Sequence, residues 1–131
     1  MEQVETMAVL RDNLREVISP YDITIEIDNQ KYNITVPVSF TYDGASIPRI
    51  FWQLGSPYDS CYDSPSCVHD YLYRKQSDNQ VMKENKFVTV PRRDADKIYR
   101  KLLIQNGNSK PKSYFIYGIV RIFGWMFFKK M

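Results

Sequence analysis

The sequence predicts an α+β fold in a single domain over residues 1–131, with a small antiparallel β-hairpin sheet packed with about three helices. Residues 21–40 alternate apolar and polar side chains, as a hairpin does, and residues 64–128 carry apolar side chains at helical spacing. A chain of 131 residues with 44% hydrophobic and 25% charged residues has room for one core. This composition excludes general disorder and a multi-span membrane protein.

The first 20 residues are predicted to form an N-terminal arm or a helix, because their scattered apolar positions fit both. Glu2 and Glu5 stand where a signal peptide would carry basic residues before an apolar run. We therefore expect no signal peptide.

The hairpin is predicted over residues 21–40. Its alternating apolar positions are Ile23, Ile25 and Ile27 in the first strand and Tyr32, Ile34 and Val36 in the second. Residues 28–30 supply the turn, and Pro37 interrupts the ladder, so residues 38–40 are predicted as an irregular or edge strand. Residues 41–63 follow neither period and are predicted as a long ordered loop, of the kind that is often functional.

The helical part is predicted over residues 64–128. Ser64 and Pro65 are typical of an N-cap and first helical position, which opens a helix through Tyr73. Residues 77–90 are predicted as a loop or a small hairpin. Pro91 opens a second helix, which Asn106 and Gly107 end. Its apolar positions are Ala95, Ile98, Tyr99, Leu102 and Leu103.

A third apolar segment covers residues 114–128. It is short for a membrane span, and Arg121 near its centre disfavours insertion, so no transmembrane span is predicted. A buried packing helix is the first interpretation. Interfacial attachment to a membrane is the second, through Trp125, Phe127, Phe128, Lys129 and Lys130.

Charge is divided unevenly along the chain. Residues 1–96 carry ten Lys and Arg against fifteen Asp and Glu, whereas residues 97–131 carry eight Lys and Arg and no acidic residue. The basic end fits a solvated helix face first, and an anionic partner such as phospholipid second. The two cysteines, Cys61 and Cys67, do not match a zinc pattern and leave reduced thiols or a local disulfide open.

The single histidine, His69, is followed by Asp70 on a predicted helix, with Tyr73 one turn further along the same face. If the second helix packs against this one, Asp96 can contact the imidazole, fix its tautomer and leave the other nitrogen to a water. We therefore expect His69 and Asp96 to lie within hydrogen-bonding reach. An enzyme should leave His69 reachable by solvent, whereas a structural role should bury the pair.

The segment 41–49 is the second candidate. Gly44 allows a turn that aims successive carbonyls or amides at one point. Carbonyls would suit calcium, with Asp70 or Asp43 as the carboxylate, and amides would suit an oxyanion. We expect Asp43 to point toward His69 or Asp70, although an ordinary connection that satisfies its own backbone fits the spacing equally well.

Several of these segments, in unbroken order from about residue 36 to 125, resemble a family of small bacteriophage and prophage proteins of unknown function. Residues 42–49 read YDGASIPR, against the TDGASIPR-type segment of that family, and residues 69–73 read HDYLY. Tyr42 stands where the family usually has Thr, and Ser39 stands where Gly is common. The resemblance implies a viral origin.

The order of the loop and the two helices also resembles phospholipase A2, particularly the form found in parvovirus capsid proteins. This resemblance implies calcium held by Asp70 and the loop at Tyr42, Asp43 and Gly44. It also implies His69 as general base, with Asp96 and Tyr73 orienting it. Ala45 and Ser46 stand where the phospholipase loop continues with glycine.

The predicted function is that of a phage-encoded His-Asp hydrolase, similar to an esterase or phospholipase and acting on lipid or the cell envelope. The alternative is a non-enzymatic virion or tail component or a host-interaction protein. Ser46, Arg49 and Trp52 are predicted to support the cleft. Expected partners are other phage proteins, a host envelope component or a phospholipid surface, without a specific nucleic acid. The expected location is the host cytoplasm or the virion.

Overall fold

The computed structural model describes residue 4 and residues 6–8, 15–42 and 63–129. These residues form a small single-domain α+β fold, as predicted. The strands are β1 Thr6–Ala8, β2 Arg15–Val17, β3 Tyr21–Ile27, β4 Gln30–Val36, β5 Thr41–Tyr42, β6 Val81–Lys83 and β7 Lys86–Val88. The helices are α1 Asp63–Tyr73, α2 Arg92–Gln105 and α3 Lys110–Phe123, with 3₁₀ turns at Lys75–Ser77 and Gly124–Met126.

The larger sheet is antiparallel and has the strand order β3-β4-β6-β7. The predicted hairpin is confirmed, because β3 pairs with β4 from Tyr21 opposite Val36 to Ile27 opposite Gln30. Asp28 and Asn29 join these strands with φ of 47° and 64°, the left-handed pair that a two-residue hairpin turn requires. The polar segment 77–90 contains a second hairpin, β6–β7.

The smaller sheet has the order β1-β2-β5 and ties the start of the chain to the end of the hairpin region. Where the structure describes the opening segment, it therefore contributes two strands. The prediction of a strand at 38–40 was wrong, because residues 37–40 form a turn and the next strand, β5, starts at Thr41. The predicted loop 41–63 also begins in this strand and ends in α1, and residues 43–62 lie outside the described residues.

The first helix begins two residues earlier than predicted, at Asp63 and not at Pro65. Ser64 is inside α1 and does not precede it; its Oγ accepts the N–H of Val4 at 2.9 Å and so fastens the N-terminal segment to the helix. The second helix follows Pro91 and ends before Asn106 and Gly107, as predicted. The third helix begins at Lys110, four residues before the predicted start, because Ser109 provides its N-cap.

The second helix contacts both α1 and α3 and thereby organises the core. The Tyr32 hydroxyl of β4 donates to Asp94 at 2.7 Å, which fixes the larger sheet against the start of α2. The third helix buries Ile116, Ile119 and Val120, so the predicted packing helix is confirmed for one of its faces. Among the described residues, no helix combines the length and apolar character that crossing a membrane requires.

Candidate functional site

The predicted approach of His69 and Asp96 is confirmed. His69 projects from α1 and Asp96 from the first turns of α2, and the imidazole Nε2 lies 2.8 Å from the carboxylate Oδ1. Both side chains have 0% exposure. The contact joins two helices that are separated by the β6–β7 hairpin in the sequence. A catalytic role for the pair stays a prediction.

Two tyrosines hold the imidazole in place. Tyr73, one turn beyond His69 on α1, donates its hydroxyl to the same Oδ1 of Asp96 at 2.5 Å, and its ring centroid lies 4.2 Å from that of the imidazole. Tyr99, one turn beyond Asp96 on α2, stacks on the imidazole at 4.4 Å with an interplanar angle of 21°. The Tyr99 hydroxyl lies 3.1 Å from Ser66 Oγ, which anchors it on α1. These contacts fix the plane of the ring.

Two arginines approach the other carboxylate oxygen. Arg121 of α3 donates from Nη1 to Asp96 Oδ2 at 2.9 Å, and Arg92 Nη1 lies 3.7 Å from the same oxygen. Arg92 also donates to the carbonyls of Val120 and Arg121 at 3.1 and 3.2 Å, near the end of α3. One buried carboxylate thus connects all three helices.

In the sequence analysis, Arg92 and Arg121 were not predicted to belong to the site. The available signal was Arg121, a charged residue in the middle of an otherwise apolar segment. Since a charge in an apolar helix is retained only with a partner, it indicated a buried acid elsewhere in the chain.

We call Asp96 and the four side chains around its carboxylate, those of His69, Tyr73, Arg92 and Arg121, the Asp96 cluster. The electrostatics of this cluster favour an ionised Asp96. Burial disfavours the charged carboxylate most strongly, but the hydrogen bond and charge of His69, with hydrogen bonds from Tyr73 and Arg121, outweigh it and lower the Asp96 pKa below its ordinary value. Burial, reinforced by the neighbouring Asp96 charge, raises the pKa of Tyr73 well above its ordinary range. Tyr73 therefore stays protonated and donates to Asp96.

This arrangement can perform one step of acid–base chemistry. A carboxylate that accepts the Nε2 proton fixes the imidazole tautomer and leaves Nδ1 as the basic nitrogen. The complete burial of His69, however, is what we expected of a structural pair and not of an enzyme with an open site. The hydrogen-bond geometry of His69 favours a role as proton acceptor, whereas the burial of His69 and Asp96 favours a structural role.

The residues of the calcium prediction are only partly described. Asp70 is buried on α1 at 4% exposure, and Tyr42 is buried at the end of β5, where its ring stacks on Phe40. Asp43 and Gly44 lie outside the described residues, so the predicted direction of Asp43 stays a prediction. In the part of the chain that the structure describes, no three acidic, histidine or cysteine side chains converge. Calcium takes six to eight oxygen ligands, several of which would come from the undescribed loop, so the calcium site stays a prediction.

The remaining predicted site residues lie within residues 43–62. Ser46, Arg49 and Trp52, expected to support the cleft, lie outside the described residues, as does Cys61. Cys67 is buried on α1, two residues before His69.

Two comparisons with known proteins found similarity to this chain. The chain is 42% identical over 43 residues to the uncharacterised protein y4jT of Sinorhizobium fredii (strain NBRC 101917 / NGR234). That match covers 32% of this chain and 13% of the longer relative. No solved structure matches the chain. The model of a family described as a protein of unknown function, DUF1353, matches residues 16–120, which include His69, Tyr73 and Asp96. The chain therefore belongs to the DUF1353 family.

Proposed function

We propose that this chain is a phage-encoded hydrolase in which His69 acts as general base on an ester of lipid or of the cell envelope. The observation that carries the proposal is the 2.8 Å hydrogen-bond distance between His69 Nε2 and Asp96 Oδ1. A buried carboxylate behind one imidazole nitrogen directs basicity to the other. Burying a carboxylate costs desolvation free energy, and apolar residues would fill the same space without that cost. A buried carboxylate is therefore more typical of a functional site than of an ordinary core.

The proposed reaction uses His69 Nδ1 as the proton acceptor. A water gives its proton to Nδ1 while its oxygen forms a bond to the ester carbonyl carbon. As the tetrahedral intermediate collapses, the bond to the alcohol oxygen breaks and the imidazolium returns the proton to that oxygen. Asp96 stabilises the transient positive charge through Nε2, and Tyr73 and Arg121 hold the carboxylate in position.

Tyr73 gives this proposal its likeness to phospholipase A2. The resemblance includes a histidine, an adjacent acid, a tyrosine four residues beyond the histidine and a distant aspartate, besides the loop at Tyr42 to Gly44. Here the tyrosine and the histidine contact the same oxygen of Asp96. By the same resemblance Asp70 would bind calcium. Calcium would supply charge stabilisation for a developing oxyanion.

The burial of His69 favours a second candidate function. In a non-enzymatic phage protein, such as a virion or tail component, the Asp96 cluster would serve only to join α1, α2 and α3. The 0% exposure of His69 and Asp96 and the donors on both carboxylate oxygens fit that role. In either case, the proposed location is the host cytoplasm or the virion.

Hydrolysis of mixed phospholipid vesicles and simple esters, with calcium and with chelator, tests the proposal. The informative variant is His69→Gln, because the amide of glutamine can still donate to Asp96 but cannot act as a base. We expect it to lose about 10²- to 10⁴-fold in rate while it retains a cooperative melt. Native protein without turnover on any of these substrates would favour the structural candidate.

Two tyrosines provide a matched control. Tyr73→Phe removes a phenol that donates to Asp96, whereas Tyr32→Phe removes one that donates to Asp94 on the same helix, away from His69. Both changes leave a carboxylate without one donor. A hydrolase predicts that only Tyr73→Phe lowers the rate constant kcat; equal rates in both variants would contradict the positioning role of Tyr73.

A further inference from the structure

Large apolar side chains are exposed on α3 and on the 3₁₀ turn Gly124–Met126 that follows it. Phe115, Ile122 and Trp125 are 53%, 65% and 62% exposed. Phe115 and Ile122 are seven residues apart and so lie on the same side of the helix, away from the buried residues Ile116, Ile119 and Val120. Tyr114 and Met126, on the same helix and turn, are also exposed. We call these five residues the exposed stripe.

This stripe differs from the scattered apolar exposure that every protein surface shows. The other large apolar side chains exposed in the described part of the chain are Ile18 after β2, Val38 in the turn before β5, and Phe87 of β7. The stripe instead brings an aliphatic, a thioether and three aromatic side chains together on one helix and the 3₁₀ turn that follows it. Large apolar side chains exposed together on neighbouring elements indicate an interaction surface.

The charge around the stripe identifies its partner. Residues 97–131 contain eight basic and no acidic residues, and three of the basic side chains pair with acidic residues elsewhere in the fold. Lys110 and Lys112 stand at the start of α3, and the guanidinium of Arg100 lies 4.6 Å from the ring centroid of Tyr114 at the edge of the stripe. An apolar face that is bordered by cations complements the acyl boundary and headgroups of an anionic bilayer. A nucleic acid would match the charge but would leave the apolar side chains exposed to water.

We propose that the exposed stripe is the surface by which this protein binds an anionic phospholipid bilayer. Phe115, Ile122 and Trp125 enter the boundary between headgroups and acyl chains, with α3 lying in the plane of the membrane. Lys110 and Lys112 remain at the headgroups. The opposite face of α3 stays packed on α2, so the domain binds without unfolding. This inference is independent of catalysis and holds for an inactive protein as well.

Vesicle sedimentation tests the proposal. We expect the native chain to bind vesicles of phosphatidylglycerol and phosphatidylcholine, to bind pure phosphatidylcholine much more weakly, and to dissociate as salt is raised. The triple variant Phe115→Ser, Ile122→Ser and Trp125→Ser should lower the partition coefficient by at least about tenfold, since it removes the apolar side chains that enter the bilayer. Native protein that remains in the supernatant with anionic vesicles would overturn the proposal.

The exposed apolar residues outside the stripe provide a control, because the same apolar-to-serine change can be made there. The triple variant Ile18→Ser, Val38→Ser and Phe87→Ser removes similar exposed area away from α3 and should bind as the native chain does. Equal losses in the two triple variants would contradict the assignment to the stripe. So would a native dimer that the stripe variant converts to a monomer while vesicle binding is absent, because the stripe would then join two copies.

A single substitution covers the case in which the stripe variant fails to fold. Trp125→Phe retains an aromatic ring at an exposed position and should bind vesicles. Brominated acyl chains should quench the fluorescence of the native chain, and this quenching should fall in Trp125→Phe. Equal quenching in both proteins would show that Trp125 does not enter the bilayer.

Discussion

Gly124 lies so close to the Tyr73 hydroxyl that a β-carbon at residue 124 would come within 2.5 Å of it. The same β-carbon would lie 3.2 Å from Arg92 Nη1. Gly124 has φ of −63°, an ordinary helical value, so the requirement for glycine here is one of space and not of backbone conformation. The end of α3 can therefore approach the Asp96 cluster only without a side chain at this position.

Replacement of Gly124 by alanine should displace the Tyr73 ring from Asp96. We expect a loss of about 1–3 kcal/mol in the free energy of unfolding, as for other overpacked sites, measured by urea denaturation. Gly118→Ala is the matched control, since it lies within α3 and a β-carbon there meets nothing within 4 Å. It should be neutral or gain up to about 1 kcal/mol from helix propensity. Similar effects at the two glycines would contradict the close approach.

Asp96→Asn should be among the most destabilising changes of similar size in this chain. The variant retains the shape of the side chain but removes the charge that faces His69 and Arg121. Breaking a buried ion pair by removing one partner costs about 3–5 kcal/mol. Urea denaturation at neutral pH measures this loss, and a change below about 1 kcal/mol would show that the cluster contributes little to the fold.

The lowered pKa of Asp96 also predicts how stability depends on pH. A carboxyl group whose folded pKa lies below its ordinary value of 3.8 stabilises the protein fully above that pH and loses the contribution as pH falls through the folded value. The melting temperature of the native chain should therefore fall in acid more steeply than that of Asp96→Asn. Parallel curves between pH 5 and pH 2, in steps of about half a unit, would contradict the assignment.

The elements that the sequence predicted well are those with strong local periodicity. The alternation on both sides of Asp28 and Asn29 and the helical spacing from Ala95 to Leu103 each point to one structure, and both are confirmed. The approach of His69 and Asp96 was predictable for the same reason. Each lies on the apolar face of its helix, so packing of the two faces brings them together.

The elements that were missed depend on contacts between distant parts of the chain. The strands β1, β2 and β5 are two or three residues long and carry too little periodicity to be recognised, since they are defined by pairing with one another. The role of Arg121 likewise depends on where α3 packs. The whole of α3 was expected to be a buried helix, but only the face that carries Ile116, Ile119 and Val120 is buried.

Ser39 occupies a backbone conformation that favours glycine. Its φ is 76°, its side chain is exposed, and its N–H donates to the carbonyl of Val17 at 2.8 Å in the turn before β5. A non-glycine residue in the left-handed region carries about 1–2 kcal/mol of steric strain, and part of the gain from glycine is offset by unfolded-chain entropy. Ser39→Gly should therefore raise the free energy of unfolding by up to about 1 kcal/mol. A lower melting temperature than that of the native chain would contradict this expectation.

Lys129 closes the end of α1 from the far end of the chain. Its ammonium donates to the carbonyls of Leu72 and Arg74 and to Ser77 Oγ, each at 3.0 Å, and it lies 2.7 Å from Asp78 Oδ1. A cation at this position satisfies carbonyls that the helix leaves unbonded and complements the helix dipole. Since Tyr73 is the last residue of α1, this cap also stabilises the helix turn that carries a donor to Asp96.

Lys129→Met should remove the cap while it keeps most of the apolar length of the side chain. We expect a loss of about 1–3 kcal/mol, in the range measured for hydrogen bonds to charged groups, with the partly exposed Asp78 contributing little of it. Lys110→Met, at an exposed position at the start of α3, should change stability by less than about 0.5 kcal/mol. Thermal unfolding of the two variants measures the difference. Amide hydrogen exchange over residues 74–80 should accelerate only in Lys129→Met, and unchanged exchange there would contradict the capping role.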